Sequence, residues 1–169
     1  MMRIYLTNLG KYNEGHLIGE WVDLPISNEE LQKVLDRIGI NEEYEEYFIT
    51  DSETDLDGIE IGEYSNLDDL NEMAETLESL DDDEKEVVDA IMSEGYSLEE
   101  ALKKKDDCIV YCDCSDMEDV AREYAEQTGL PDSIPENLQS YFDFEAYGRD
   151  MSYEGTFVFT NNGNCVQIL

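Results

Sequence analysis

The chain must fold while carrying 44 Asp and Glu against 10 Lys and Arg, a formal charge of −34 over 169 residues. Self-repulsion on that scale works against one compact body and favours small units held apart. Material for cores is present: Leu, Ile, Val and Phe supply 41 residues, above the roughly 20% level below which highly charged chains stay disordered. The charge is unevenly spread. Residues 1–41 hold 6 acids and 4 bases, residues 42–100 hold 24 acids and the single base Lys85, and residues 101–169 hold 14 acids and 5 bases. Binding to nucleic acid or to an anionic membrane would set like charge against like charge. A partner is therefore expected to be basic. No apolar run approaches the roughly 18 residues of a membrane span, and residues 1–10 lack the apolar stretch of a signal peptide, so the expected location is the cytoplasm.

The pattern reads as α+β, an elongated chain of three small units. Residues 1–62 form a β-rich α+β unit. MRIYLTN and HLIGEWVDL read as strands around the loop LGKYNEG, and EEYFIT as a third strand. Between the second and third, Ser27 and Glu30 have capping-box spacing, Leu31, Val34, Leu35 and Ile38 follow at helical spacing, and Gly39 suits the helix end. Residues 63–103 form an acidic helical unit. Ser65 and Asp68 suit a helix start; Leu67, Leu70, Met73, Ala74, Leu77 and Leu80 fill one arc, and Asp68, Asp69, Glu72, Glu75 and Glu78 the other. A solvated helix ordinarily mixes signs and gains i,i+4 pairs; this one forgoes them. DDDEKEVVDAIMSEG gathers its acids at a helix N-terminus, and SLEEALKK has a capping box at Ser97 and Glu100. Residues 104–169 alternate again. CIVYCDC reads as a strand with Cys108, Val110, Cys112 and Cys114 on one buried face. Ser115 and Glu118 suit the start of a helix ended by Gly129, Pro135 suits another helix start, and Asn161-Asn162-Gly163 joins GTFVFT and NCVQIL as a hairpin.

Catalytic signatures are lacking, and no enzyme activity or cofactor is expected. There is no phosphate-binding glycine loop and no G-x-S-x-G, and His16 is the single histidine. C-x3-C-x-C matches no zinc ligand spacing. ETDLDGIEIGEY places Asp55, Asp57 and Gly58 as in an EF-hand loop, but Tyr64 stands where a bidentate Glu is required. The acids themselves remain. B-DNA carries about one charge per 1.7 Å of axis, so 34 charges correspond to about 17 base pairs, or roughly 58 Å. From composition, a mimic of DNA or binder of a basic protein stands beside a generic acidic domain. Crowded carboxylates without partners are expected to have raised pKa values, making the fold more stable as pH falls from 7 toward about 5.

YLTNLGKYNEG at 5–15 and LIGEWVDLPI at 17–26 resemble the N-terminal region of the ArdA antirestriction proteins. EYEEYFITD at 43–51, DMEDVARE at 116–123 and YFDFEAYGRD at 141–150 resemble later parts in the same order. The likeness spans essentially the whole chain. It implies an elongated three-domain homodimer, often encoded on mobile elements, whose carboxylates stand in for the phosphates of bent duplex DNA and inhibit Type I restriction–modification enzymes. On that basis the partner-binding acids are expected to be Asp68, Asp69, Glu72, Glu75, Glu78, Asp81, Asp82, Asp83, Glu84 and Glu86. The resemblance implies dimer contact in residues 104–169, where Tyr141, Phe142, Phe144 and Tyr147 are the candidates, with core packing as their alternative role. The partners are then the DNA-binding groove of a Type I methyltransferase core and a second copy of the chain. An acidic chaperone or inhibitor of another basic DNA-binding protein shares these electrostatics, and a calcium-binding module is the third reading.

Overall fold

A computed structural model describes every residue except Asp57. It is α+β: among the described residues there are eight α-helices and six strands in two three-stranded sheets. The chain divides into two compact units, Met1–Lys85 and Glu86–Leu169. Among the described residues no helix is long and apolar enough to cross a membrane.

In the first unit, β1 (Met2–Asn8) lies between β2 (Gly19–Leu24) and β3 (Tyr47–Thr54), antiparallel to both. Strand alternation sends Met2, Ile4 and Leu6 into the core and Arg3 and Tyr5 to the other face. The inner face is covered by α2 (Asn28–Arg37) through Val34 and Ile38, and by α3 (Leu67–Ser79) through Leu67, Leu70 and Ala74. Ser27 caps α2 by accepting the Glu30 N–H at 3.2 Å, while the Glu30 carboxylate pairs with Lys33. At the other end Gly39 takes φ +81°, the Gly39 N–H donates to the Asp36 carbonyl and the Ile40 N–H to the Leu35 carbonyl, a Schellman closure.

Four expectations about this unit change. The stretch 9–15 is not all loop: Leu9–Asn13 form α1, because Asn8 Oδ1 accepts the Lys11 N–H at 2.9 Å and starts a helical turn. The Asn8 amide also donates to the carbonyls of Ile38 and Gly39 at 3.2 and 3.1 Å, so this fully buried polar side chain ties the end of β1 to the end of α2. The second strand starts at Gly19 rather than His16, and the third continues to Thr54 because β1 pairs along its whole length, across a register shift at Tyr5/Leu6. Ser65 does not cap α3; Asn66 does, accepting the Asp68 N–H at 2.8 Å, while the Ser65 hydroxyl accepts the Gly62 N–H.

The division between units falls inside α4 (Asp82–Ser93). In the second unit α5 (Leu98–Lys104) carries the capping box expected of Ser97 and Glu100. The sheet has β6 (Cys165–Ile168) between β4 (Cys108–Tyr111) and β5 (Thr156–Phe159), all antiparallel, with Gly163 at φ +83° in the expected hairpin. α6 (Met117–Thr128) packs against this sheet, and Gly129 ends it at φ +67°. The short α7 (Glu136–Gln139) follows Pro135. A helix that the periodicity did not reveal, α8 (Phe144–Glu154), lies against α6, with Gly148 seated on the Met117 carbonyl.

The cysteine stretch departs from expectation. The strand stops at Tyr111, and Asp113 turns to φ +54°, which breaks the two-residue alternation. Before that turn the strand buries Tyr111, so its neighbours Val110, 39% exposed, and Cys112 face outward and Cys108 is half-buried; after it, Cys114 enters the core as expected, beside Cys165. The α6 cap is Asp116, not Ser115: Asp116 Oδ1 accepts the N–H groups of Glu118 and Asp119, and the Asp119 carboxylate accepts the Ser115 N–H and hydroxyl.

Candidate partner-binding surface

The core-facing arc of α3 is apolar, and this decides where its acids go. With Leu67, Leu70, Ala74 and Leu77 buried, Asp68, Asp69, Glu72, Glu75 and Glu78 are all exposed. At about 1.5 Å rise per residue, positions 68 to 78 span about 15 Å. Five carboxylates over that length give about one per 4 Å of axis, close to the one charge per roughly 3.4 Å of axis on a single DNA strand. Asp68 and Asp69 sit in the first turn, where the helix dipole favours negative charge. No Lys, Arg or His occurs between residues 38 and 84, and among the described residues none of these five acids is in an ion pair.

The row continues into α4, where the roles diverge. Asp81, Asp82 and Asp83 are exposed. Asp81 and Glu84 cap the helix reciprocally: the Glu84 N–H donates to Asp81 Oδ1 at 2.8 Å and the Asp81 N–H to Glu84 Oε2 at 3.1 Å. Glu86 is half-buried, accepts the Asn164 amide on both oxygens at 3.1 Å and also accepts the Thr160 hydroxyl, which fastens α4 to the β5–β6 hairpin. Glu86 and Asn164 lie 78 positions apart, a pairing that no local pattern signals.

Among the described residues, carboxylates that accept from a cation, a hydroxyl or a serine backbone N–H are held below their ordinary pKa values; these are partnered acids, outside the expectation drawn for crowded acids without partners. Arg37 bonding holds Glu20 low, Arg3 bonding Glu53, Lys33 bonding Glu30 and Lys103 bonding Glu99. The Tyr44 hydroxyl holds Glu14 low, and Ser97 and Ser115 do the same for Glu100 and Asp119. Donors at hydrogen-bond distance outweigh the more distant acids at these positions.

In the second unit Phe142 meets Phe144 edge-on at 4.7 Å and Tyr147 at 5.5 Å, and Arg122 lies 4.5 Å over Phe144. These three rings are half-buried within their own unit, whereas Tyr141 is 81% exposed. Around the acidic loop, Asp55 pairs with the N-terminal ammonium. Asp57, the other acid of the EF-hand-like pattern, lies outside the described residues. Among the described residues no three His, Cys, Asp or Glu side chains gather as metal ligands.

An α+β scaffold that packs ordinary cores while presenting an unpaired acidic helix face is that of an acidic interaction protein. The family model for the antirestriction protein ArdA matches residues 4–166. The chain belongs to the ArdA family of antirestriction proteins, a family of inhibitors and not of enzymes. Comparison with curated proteins finds no match.

Proposed function

We propose that the chain inhibits Type I restriction–modification enzymes by mimicking duplex DNA in the DNA-binding groove of the methyltransferase core. The supporting observation is the α3 face, whose carboxylates are spaced like phosphates and lack cationic partners. Lys and Arg that would meet phosphates meet carboxylates instead, and binding releases ions condensed near both surfaces. Residues 1–62, 63–103 and 104–169 act as three segments of the mimic, in the cytoplasm of a host that has acquired it on a mobile element. A homodimer joined through residues 104–169, with Tyr141 as the most exposed of its candidate aromatics, doubles the charge to −68.

The test is competition between the protein and a duplex carrying the recognition sequence for a purified Type I methyltransferase core. Mutually exclusive binding, weakened steeply by salt, is the expected result. Changing Asp68, Asp69, Glu72, Glu75 and Glu78 together to amides is expected to weaken binding strongly and flatten the salt dependence, while any one amide costs about 0–1 kcal/mol. Simultaneous binding of protein and duplex would refute the mimicry. Full affinity of the five-amide variant would move recognition off α3.

A further inference from the structure

The sheet face of the first unit that points away from its core is aromatic. Trp21 and Tyr5 meet edge-on at 5.4 Å, with Arg3 4.5 Å over the indole. Further along, Phe48 of β3 is 7% exposed beneath Tyr12 of α1, edge-on at 5.2 Å, and Tyr64, stacked at 6.4 Å with 26° between planes. Those two tyrosines stay 45% and 72% exposed. Two tyrosines open to solvent on a buried phenylalanine are an unusual feature on a chain otherwise covered in charge.

The electrostatic setting points to the occupant. Phe48 and Tyr64 both fall in residues 38–84, which hold 19 acids and no Lys, Arg or His. A side chain drawn there is cationic and needs a flat apolar surface to gain more than Coulomb attraction. Guanidinium meets that description: it is planar, weakly hydrated and stacks on aromatic faces, whereas ammonium is compact and strongly hydrated. The chain already uses this chemistry internally. Among the described residues two of its four arginines sit over rings, Arg3 on Trp21 and Arg122 on Phe144, against two of its six lysines, Lys11 on Tyr44 and Lys104 on Tyr96. Among the described residues, none lies over Tyr12 or Tyr64.

We propose that Tyr12, Phe48 and Tyr64 form an arginine-reading strip, which adds a stacking contact of low salt sensitivity to the acidic surface that binds a basic protein. It rests on the basic-partner reading above and makes that partner arginine-bearing at this position. Carboxylates already favour arginine through bidentate pairing; the strip adds a part of the arginine preference that is lost when the rings are removed and the acids are kept.

The test uses the full chain with fluorescent nona-arginine and nona-lysine peptides, by polarisation over a range of salt. Tyr64→Leu is expected to weaken nona-arginine binding about threefold to fivefold, the range for an exposed cation–π contact, with nona-lysine nearly unchanged. Tyr64→Phe, which keeps the ring and loses the hydroxyl, restores nona-arginine affinity. The high exposure of Tyr64 makes the substitution safe for the fold, and Tyr12→Leu gives an independent second variant. Equal losses for both peptides, no loss in either leucine variant, or failure of phenylalanine to restore binding overturns the strip. Two results separate this from the phosphate-mimic reading. Steep salt dependence without ring-dependent arginine selectivity removes the strip and leaves the mimic, whereas ring-dependent selectivity without DNA competition on the methyltransferase core does the reverse.

Discussion

Gly148 gives the sharpest test of the packing. It lies inside α8, an exposed-looking position in the stretch EAYGRD, and helix propensity alone says that alanine there gains about 0.5–1 kcal/mol. The structure says the opposite. A Cβ at Gly148 would stand 2.0 Å from the Met117 carbonyl oxygen, 2.6 Å from its carbon and 3.2 Å from the Glu118 nitrogen. These are backbone atoms at the start of α6, so no side chain can swing aside. Relief requires α8 and α6 to separate by about 1 Å, loosening the Val120 layer, and overpacking of this kind costs about 1–3 kcal/mol or more. The cost exceeds the propensity gain, so Gly148→Ala is expected to destabilise by about 1–2 kcal/mol. With a urea dependence of about 2 kcal/mol/M, the midpoint falls by roughly 0.5–1 M in a circular dichroism titration. The thiol of Cys165, fully buried in the adjacent core, provides a second probe and is expected to react faster in the variant. A Gly148→Ala protein as stable as the parent, with Cys165 equally protected, would refute the close approach of the two helices.

Glu86→Ala removes the acceptor for Asn164 and Thr160. It is expected to cost about 1–2 kcal/mol of stability in thermal melts, since part-buried donors lose a charged partner, whereas Glu75→Ala is nearly silent. Asn8→Ala breaks three hydrogen bonds around a fully buried amide and is expected to cost about 1–3 kcal/mol in the same assay. Thiol titration with a chromogenic disulfide is expected to label exposed Cys112 at once and Cys165 only on unfolding, because burial pushes the Cys165 pKa up to about 12. The pH dependence follows from Asp119 and Glu100, whose folded pKa values lie below their ordinary 3.8 and 4.5. Depressed carboxylates bind fewer protons folded than unfolded, so their contribution is complete above the unfolded pKa and lost as pH falls through the folded one. Melting temperature is therefore expected to drop below about pH 4.5, less steeply in Asp119→Asn; a melting temperature that climbs through that range would show that repulsion among the acids outweighs the capping bonds.

The elements that could be read in the sequence are those whose signals are local. β1 was legible because Met2, Ile4 and Leu6 alternate with Arg3 and Tyr5, the hairpin because Asn-Gly closes it, and α5 because Ser97 and Glu100 satisfy each other over three positions. The misread parts depend on partners distant in sequence. β3 runs to Thr54 through polar residues, a pattern that reads as loop until β1 is laid beside it in antiparallel register across the shift at Tyr5/Leu6. α8 escaped notice because its buried face is a glycine and its aromatics pack on one another rather than in a regular stripe. The cysteine strand buries the opposite face from the one expected: Tyr111 rather than Val110 meets Val120 and Cys165 in the core. Positive φ at Asp113 then returns Cys114 to the core, where the alternation from Tyr111 alone would have left it outside.

The acidic row was legible in a different way, through what α3 must bury. Once Leu67, Leu70, Ala74 and Leu77 are committed to packing, residues 68, 69, 72, 75 and 78 have only solvent left, and their type then fixes the charge of that face. The same logic separates acids that serve the fold from acids that face outward, and composition alone could not make that separation. Glu84 and Glu86 belong to the same charge run as Asp82 and Asp83, yet their oxygens are occupied by the Asp81 N–H in one case and by Asn164 and Thr160 in the other. A carboxylate that already accepts from its own chain has less to offer a lysine from another protein. If the proposed mimicry holds, loss of binding on neutralisation should be greatest on α3 and fall off along α4, following which acids are unoccupied rather than the count of acids in the sequence.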